Sequence, residues 1–145
     1  MSDVLTQELK NGVLTLTMNR PESRNALNEE MGRKLTAALD AAVENPEVRV
    51  VVLTGAGQAF CSGGDVKSMA ANPGRGSTPE GRVMGLRRRA DASRLLHEMP
   101  KPTIAVIRGA AAGAGLALAL SCDFRLALPD AKMTTAFGKV GLAGD

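Results

Sequence analysis

Two glycine-bearing turns hold the residues whose types and spacing suit chemistry. The first is Ala59-Phe60-Cys61-Ser62-Gly63-Gly64-Asp65-Val66-Lys67-Ser68-Met69, which follows an apolar strand and brings two glycines to the start of a predicted helix. The second, residues 109–123, leads from another buried strand through Gly109-Ala110-Ala111-Ala112-Gly113-Ala114-Gly115 into an apolar helix. The first N–H groups of a helix have no intrahelical partner, so two such turns can aim donors at one carbonyl oxygen. That is the chemistry of an oxyanion hole. Either segment alone reads equally well as a tight strand-to-helix turn.

The elements that must position these turns follow from periodicity. Residues 4–9 and 13–18 alternate in part around Lys10-Asn11-Gly12, which predicts two antiparallel strands and a tight turn. Pro21 ends the second strand. Asn28 is an N-cap candidate, Glu29 and Glu30 suit a first turn, and Met31, Leu35, Ala38, Leu39 and Ala42 have helical spacing as far as Asn45-Pro46. Residues 48–53 and 103–107 are apolar runs that read as buried parallel strands. Between them, residues 72–81 are rich in Pro, Gly, Ser and Thr and predict a mobile loop bordering the first turn. A helix follows, with Ala92, Leu95, Leu96 and Met99 on one face and Arg87, Arg88 and Arg89 on solvent. Beyond a helix at about residues 115–121, residues 124–127 and 132–135 read as short strands. Strands alternating with helices predict an α/β fold.

The two turns, in this order, resemble the paired signatures of the crotonase superfamily, the enoyl-CoA hydratases and isomerases. The resemblance extends to Asn19-Arg20-Pro21, Ser23-Arg24-Asn25-Ala26-Leu27, Lys101-Pro102-Thr103-Ile104-Ala105 and Phe137-Gly138-Lys139-Val140-Gly141-Leu142, so it covers nearly the whole chain. It implies a crotonase-like spiral of ββα units. At 145 residues the chain is shorter than a complete member, which implies one domain over residues 1–145, incomplete before the C-terminal helical region. The resemblance also implies an acyl-CoA thioester as substrate, coenzyme A being part of it and no cofactor being permanently bound. Trimers or hexamers and fatty acid metabolism belong to the same implication.

Matching residue by residue puts the oxyanion donors at the N–H groups of Gly64 and Ala114. Arg24, Ala26, Leu27, Ser62, Gly64, Asp65, Val66, Lys67, Gly113 and Ala114 would contact substrate or coenzyme A. Lys67 fits an exposed helix residue as well as a phosphate or ribose contact, and Asp65 fits a residue favoured by the helix dipole. Hydratases of the superfamily use two glutamates, whose positions here hold Ala117 and Gly141. Neither can transfer a proton. The position of Asp145 resembles an aspartate used by a subset that includes isomerases, and one carboxylate can take a proton from one carbon and return it to another. The expectation is therefore an isomerase with Gly64, Ala114 and Asp145 as its catalytic groups. The alternatives are a hydratase using other carboxylates and an acyl-CoA binding protein without catalysis. A dehalogenase would need an aromatic-rich pocket that three Phe do not supply.

Composition bounds the rest. A net charge of +3 with no Trp or Tyr argues against nucleic acid as a partner, while a mildly basic rim suits the phosphates of coenzyme A. Two cysteines without CxxC spacing predict neither a metal site nor a disulfide framework. With no basic, apolar leader and no run of about 18 apolar residues, the expectation is a cytoplasmic protein without membrane contact. His97, the single histidine, and Asp123 read as structural.

Overall fold

The computed structural model describes residues 3–71 and 78–141. β1 (Leu5–Lys10) and β2 (Val13–Met18) pair antiparallel, with Lys10 opposite Val13. Asn11 and Gly12 close this hairpin with φ of 51° and 82°, the two positive values that a two-residue turn matched to strand twist requires. β2 buries Leu14, Leu16 and Met18 and leaves the alternate residues more exposed. The chain then crosses over through α1 (Glu29–Glu44). The Asn28 side chain accepts the Met31 N–H at 2.9 Å, and Glu29 and Glu30 sit where the helix dipole favours negative charge. Met31, Leu35, Ala38, Leu39 and Ala42 turn inward as their spacing predicts. At the far end, the Lys101 ammonium donates to the carbonyls of Ala42 and Asn45, both at 2.6 Å, and so satisfies chain groups the helix leaves open.

β3 (Val50–Gly55) runs parallel to β2, starting two residues later than the sequence suggests. The reason is a turn after Pro46, in which the Val48 N–H donates to the Asn45 carbonyl at 3.1 Å. β5 (Thr103–Ile107) and β7 (Phe124–Ala127) extend the parallel set, giving a five-stranded sheet of order β1-β2-β3-β5-β7. β7 lies at the edge with all four residues exposed, Phe124 and Leu126 among them.

A second sheet was not foreseen. β4 (Ala59–Cys61), β6 (Ala110–Ala112) and β8 (Met133–Thr134) form three parallel strands in the order β4-β6-β8. β8 falls within residues 132–135, read from the sequence as a short strand, whereas the three-residue segments β4 and β6 carry no readable period and are defined by pairing. The main-sheet strands β3, β5 and β7 are each followed by a short strand of the second sheet, and after β4 and β6 a helix follows. These are α2 (Val66–Ala71) with α3 (Pro79–Glu98), and α4 (Ala114–Ser121). This is the spiral of ββα units. The loop expected over residues 72–81 ends sooner than predicted: the Thr78 side chain accepts the Gly81 N–H at 3.0 Å and caps α3, which already includes residues 79–81. Residues 72–77 lie outside the described residues. Ala92, Leu95 and Leu96 anchor α3, whereas Arg87, Arg88 and Arg89 are exposed. Among the described residues no helix is long and apolar enough to cross a membrane.

Asp123 explains how α4 is joined to β5. Its carboxylate accepts the Thr103 N–H at 2.8 Å and the Thr103 hydroxyl at 3.1 Å, while the Asp123 N–H donates to that hydroxyl oxygen at 3.0 Å. Thr103 is fully buried, so Asp123→Ala strands a buried N–H. The expected loss is about 2 kcal/mol, one buried donor left unmade, read as a lower midpoint in urea unfolding.

Candidate functional site

The two glycine turns lie at the carboxyl ends of β4 and β6, neighbouring parallel strands of the second sheet. The Gly63 backbone packs directly on the second turn. A β-carbon at Gly63, where φ is +99°, would stand 2.9 Å from the Ala112 carbonyl oxygen and 3.6 Å from the Ala114 nitrogen. At the second residue of the helix, a β-carbon on Gly115 would meet the Cys61 carbonyl oxygen and come within 2.7 Å of the Cys61 β-carbon. The approach of α4 to β4 therefore excludes any side chain at Gly115.

Residues 23–27 run beside the first turn and are laced to it. The Ser62 N–H donates to the Arg24 carbonyl at 3.0 Å, the Leu27 N–H to the Gly63 carbonyl at 2.8 Å, and the Asp65 N–H to the Leu27 carbonyl at 3.0 Å. Leu27 and Gly64 thereby form a parallel bridge in which Leu27 bonds to the residues on either side of Gly64. That pattern turns the Gly64 N–H away from Leu27. Ala114 is the first residue of α4, so its N–H has no intrahelical acceptor. Among the described residues, neither N–H is found donating to another residue.

The residues expected to contact coenzyme A are thus brought together: 24, 26 and 27 against 62 and 64–67, with Gly113 and Ala114 alongside. Arg24, Val66 and Lys67 are exposed, Ala26 is buried, and Leu27, Ser62, Gly64 and Asp65 are half-buried. Asp65 is committed to structure as well. Its carboxylate accepts the Ser68 N–H at 3.1 Å and pairs with Arg20 at 3.0 Å. The Ser68 bond first, and the guanidinium after it, hold the Asp65 carboxyl below its ordinary range. Ala117 sits on α4 one turn beyond Ala114, and Gly141 follows a short 3-10 turn at Phe137–Val140 with φ of +72°. Asp145 lies outside the described residues. His97 is exposed in the last turn of α3. A cleft of about 440 Å³ lined by Gly57, Gln58, Arg108, Gly109, Ala110, Asp130 and Lys132 opens at the opposite, amino-terminal ends of β4 and β6, and none of the expected contact residues lines it. No group of three potential metal ligands occurs among the described residues.

Sequence reasoning passed over Asn25 as a functional support. Its side chain is completely buried; its oxygen accepts the Arg20 N–H at 2.9 Å, and its nitrogen donates to the carbonyls of Ala56 at 2.9 Å and Ala59 at 2.8 Å. Arg24 and Asn25 both take positive φ, 53° and 57°. Asparagine tolerates that conformation better than most residues, which was the one signal available beforehand.

Asn25→Ala would leave three backbone groups without partners, and the expected cost is about 3 kcal/mol in urea unfolding. Asn25→Asp should be no milder, since it sets a second acceptor against two carbonyls. Burial also pushes the thiols of Cys61 and Cys122 up to about 11 from an ordinary 9.0. Between those values the unfolded chain has released protons that the folded chain keeps, so stability falls as pH rises through this window. Replacing both cysteines with alanine should flatten that part of the stability profile against pH.

Known proteins give this geometry its context. A sequence model described as enoyl-CoA hydratase/isomerase matches residues 8–145. The chain is 38% identical over 145 residues to a 1,2-epoxyphenylacetyl-CoA isomerase of Escherichia coli, covering 100% of this chain and 55% of that protein. It is 42% identical over 130 residues to a probable enoyl-CoA hydratase of Mycobacterium tuberculosis, covering 90% of this chain and 49% of the relative. The crystal structure of an enoyl-CoA hydratase from Mycobacterium smegmatis superposes with a TM-score of 0.89 at 37% identity, over 97% of this chain and 54% of that one. The chain spans about half the length of these relatives. With matched sequence, matched fold and the paired turns in place, the chain belongs to the enoyl-CoA hydratase/isomerase family of the crotonase superfamily.

Proposed function

We propose that the protein carrying this chain isomerises an unsaturated acyl-CoA through an enolate held in an oxyanion hole. One observation carries the reading: the turns bearing Gly64 and Ala114 pack against each other, and neither amide is spent on another described residue. Two fixed N–H donors at the thioester oxygen stabilise the charge that develops there without reorganising, and one such donor is worth about 3 kcal/mol. Residues 24–27 and Lys67 border the same place and suit the coenzyme A portion. The proton is moved by Asp145, which takes it from one acyl carbon and returns it to another while the enolate persists.

Isomerisation is favoured over hydration because Ala117 and Gly141 stand where two glutamates would place and activate water. The name of the Escherichia coli relative agrees with this choice. A hydratase reading draws on the name of the Mycobacterium tuberculosis relative and would need other carboxylates. The family resemblance adds trimers or hexamers and no permanently bound cofactor, and the composition suits a cytoplasmic protein.

The test uses the protein with any sequence that continues past Asp145, assayed with 3-enoyl-CoA and 2-enoyl-CoA. Ala114→Pro removes one donor at a first helical position, where proline is tolerated, and should lower kcat about 100-fold or more with the fold retained. Asp145→Asn should abolish most isomerisation while coenzyme A still binds. Hydration by the parent faster than isomerisation, or unchanged turnover in either variant, would sink the assignment.

A further inference from the structure

We propose that Arg20 is a positioning residue that ties residues 24–27 to the turn bearing Gly64, so that the coenzyme A contact and the first oxyanion donor are held as one unit. The functional part of this inference rests on the acyl-CoA reading above. Arg20 lies just beyond β2, and its guanidinium is largely buried, the side chain being 17% exposed and that of Asp65 13%. One nitrogen, Nη1, donates to the Ala26 carbonyl at 2.6 Å; the other, Nη2, reaches the Asp65 carboxylate at 3.0 Å. The fork therefore spans two segments that meet only at this seam. Asp65 passes the constraint on, because its other carboxylate oxygen accepts the Ser68 N–H in the first turn of α2.

Nearer β4 the two segments are tied by the Ser62 N–H to the Arg24 carbonyl, the Ser62 hydroxyl to the Ser23 carbonyl and the Cys61 thiol to the Asn25 carbonyl; beyond Ser62, at Leu27 and Gly64, the ties are fewer. The Leu27–Gly64 bridge is isolated from any named strand, and its two hydrogen bonds flank Gly64. Val66 and Lys67 are exposed, so no apolar packing from their side chains clamps the turn from above. In an open single bridge of this kind, a charged hydrogen bond to each side supplies what a longer ladder would. Lysine cannot replace the fork, since a point charge on a flexible stem engages both acceptors poorly.

Amide hydrogen exchange followed by NMR reads the seam without substrate. In Arg20→Gln and in Asp65→Asn, which keeps an oxygen for the Ser68 N–H, protection of the Leu27 and Asp65 amides should fall about tenfold relative to Leu16 and Leu53 in the core. Arg20→Lys should recover only part of it. Protection that is unchanged, or that falls only in step with Leu16 and Leu53, would overturn the proposal by showing a general contribution to stability. A second measurement reads the functional half: binding of coenzyme A, and the carbonyl stretch of crotonyl-CoA carrying ¹³C at its thioester carbon. Arg20→Gln should weaken binding and reduce the carbonyl shift together; loss of one with the other intact would refute the coupling. A parent protein that leaves the carbonyl stretch unshifted would instead count against the oxyanion reading, and the exchange experiment would still decide the role of Arg20 at the seam.

Discussion

The buried amide of Asn25 is the constraint on which the site depends. Three backbone groups, from Arg20, Ala56 and Ala59, bond to this one completely buried side chain. A buried polar group without a partner costs more than the bond itself contributes, so the geometry tolerates little drift. With the amide fixed, residues 23–27 must follow β4, and the lacing of Arg24 to Ser62 and of Leu27 to Gly63 and Asp65 comes with it. The loop expected to meet coenzyme A is thereby built from main-chain bonds rather than from the side chains that distinguish it.

A second constraint acts from the other side of β4. Backbone approaches so closely at Gly115 that Cys61 occupies the space of any side chain there, and Gly63 similarly meets Ala112. Small residues at these points let two strand-to-helix turns share one location. The chemistry this supports is done by peptide dipoles, which need exact placement and no particular side chain. Ala117 and Gly141 fit that division, because they leave the described part of the site without a glutamate at either position. On the acyl-CoA reading proposed above, the proton would be moved by a group outside these two positions, whereas an oxyanion would need only the backbone donors of the two turns.

Several motifs that mark the family are structural in this chain, for identifiable reasons. Lys101 caps the open carbonyls at the end of α1, and Thr103 with Asp123 joins the start of β5 to the end of α4. Arg20 serves the seam beside Gly64. A polar residue in such a motif therefore reports a junction between elements as readily as a contact with substrate. The exposed apolar residues of β7, Phe124 and Leu126, stand in contrast, since they close no junction within the described residues.

The sequence by itself determined what local physics encodes. The Asn11-Gly12 hairpin, the Asn28 cap, the inward face of α1 and the β-branched run of β3 all rest on neighbours within a few residues, so composition and period suffice to read them. The two glycine turns were legible for the same reason, as small residues between a strand and a helix. Tertiary structure alone decided β4 and β6 and the joining of both to β8 in a second sheet, since β4 and β6 are too short to show a period and exist by pairing across the fold. It alone decided the parts of Asn25, Arg20 and Asp65, whose partners lie far along the chain. The meeting of Gly63 with Ala112 and Ala114 was likewise its decision, because close approach of two backbones leaves no mark in either segment beyond the absence of a side chain.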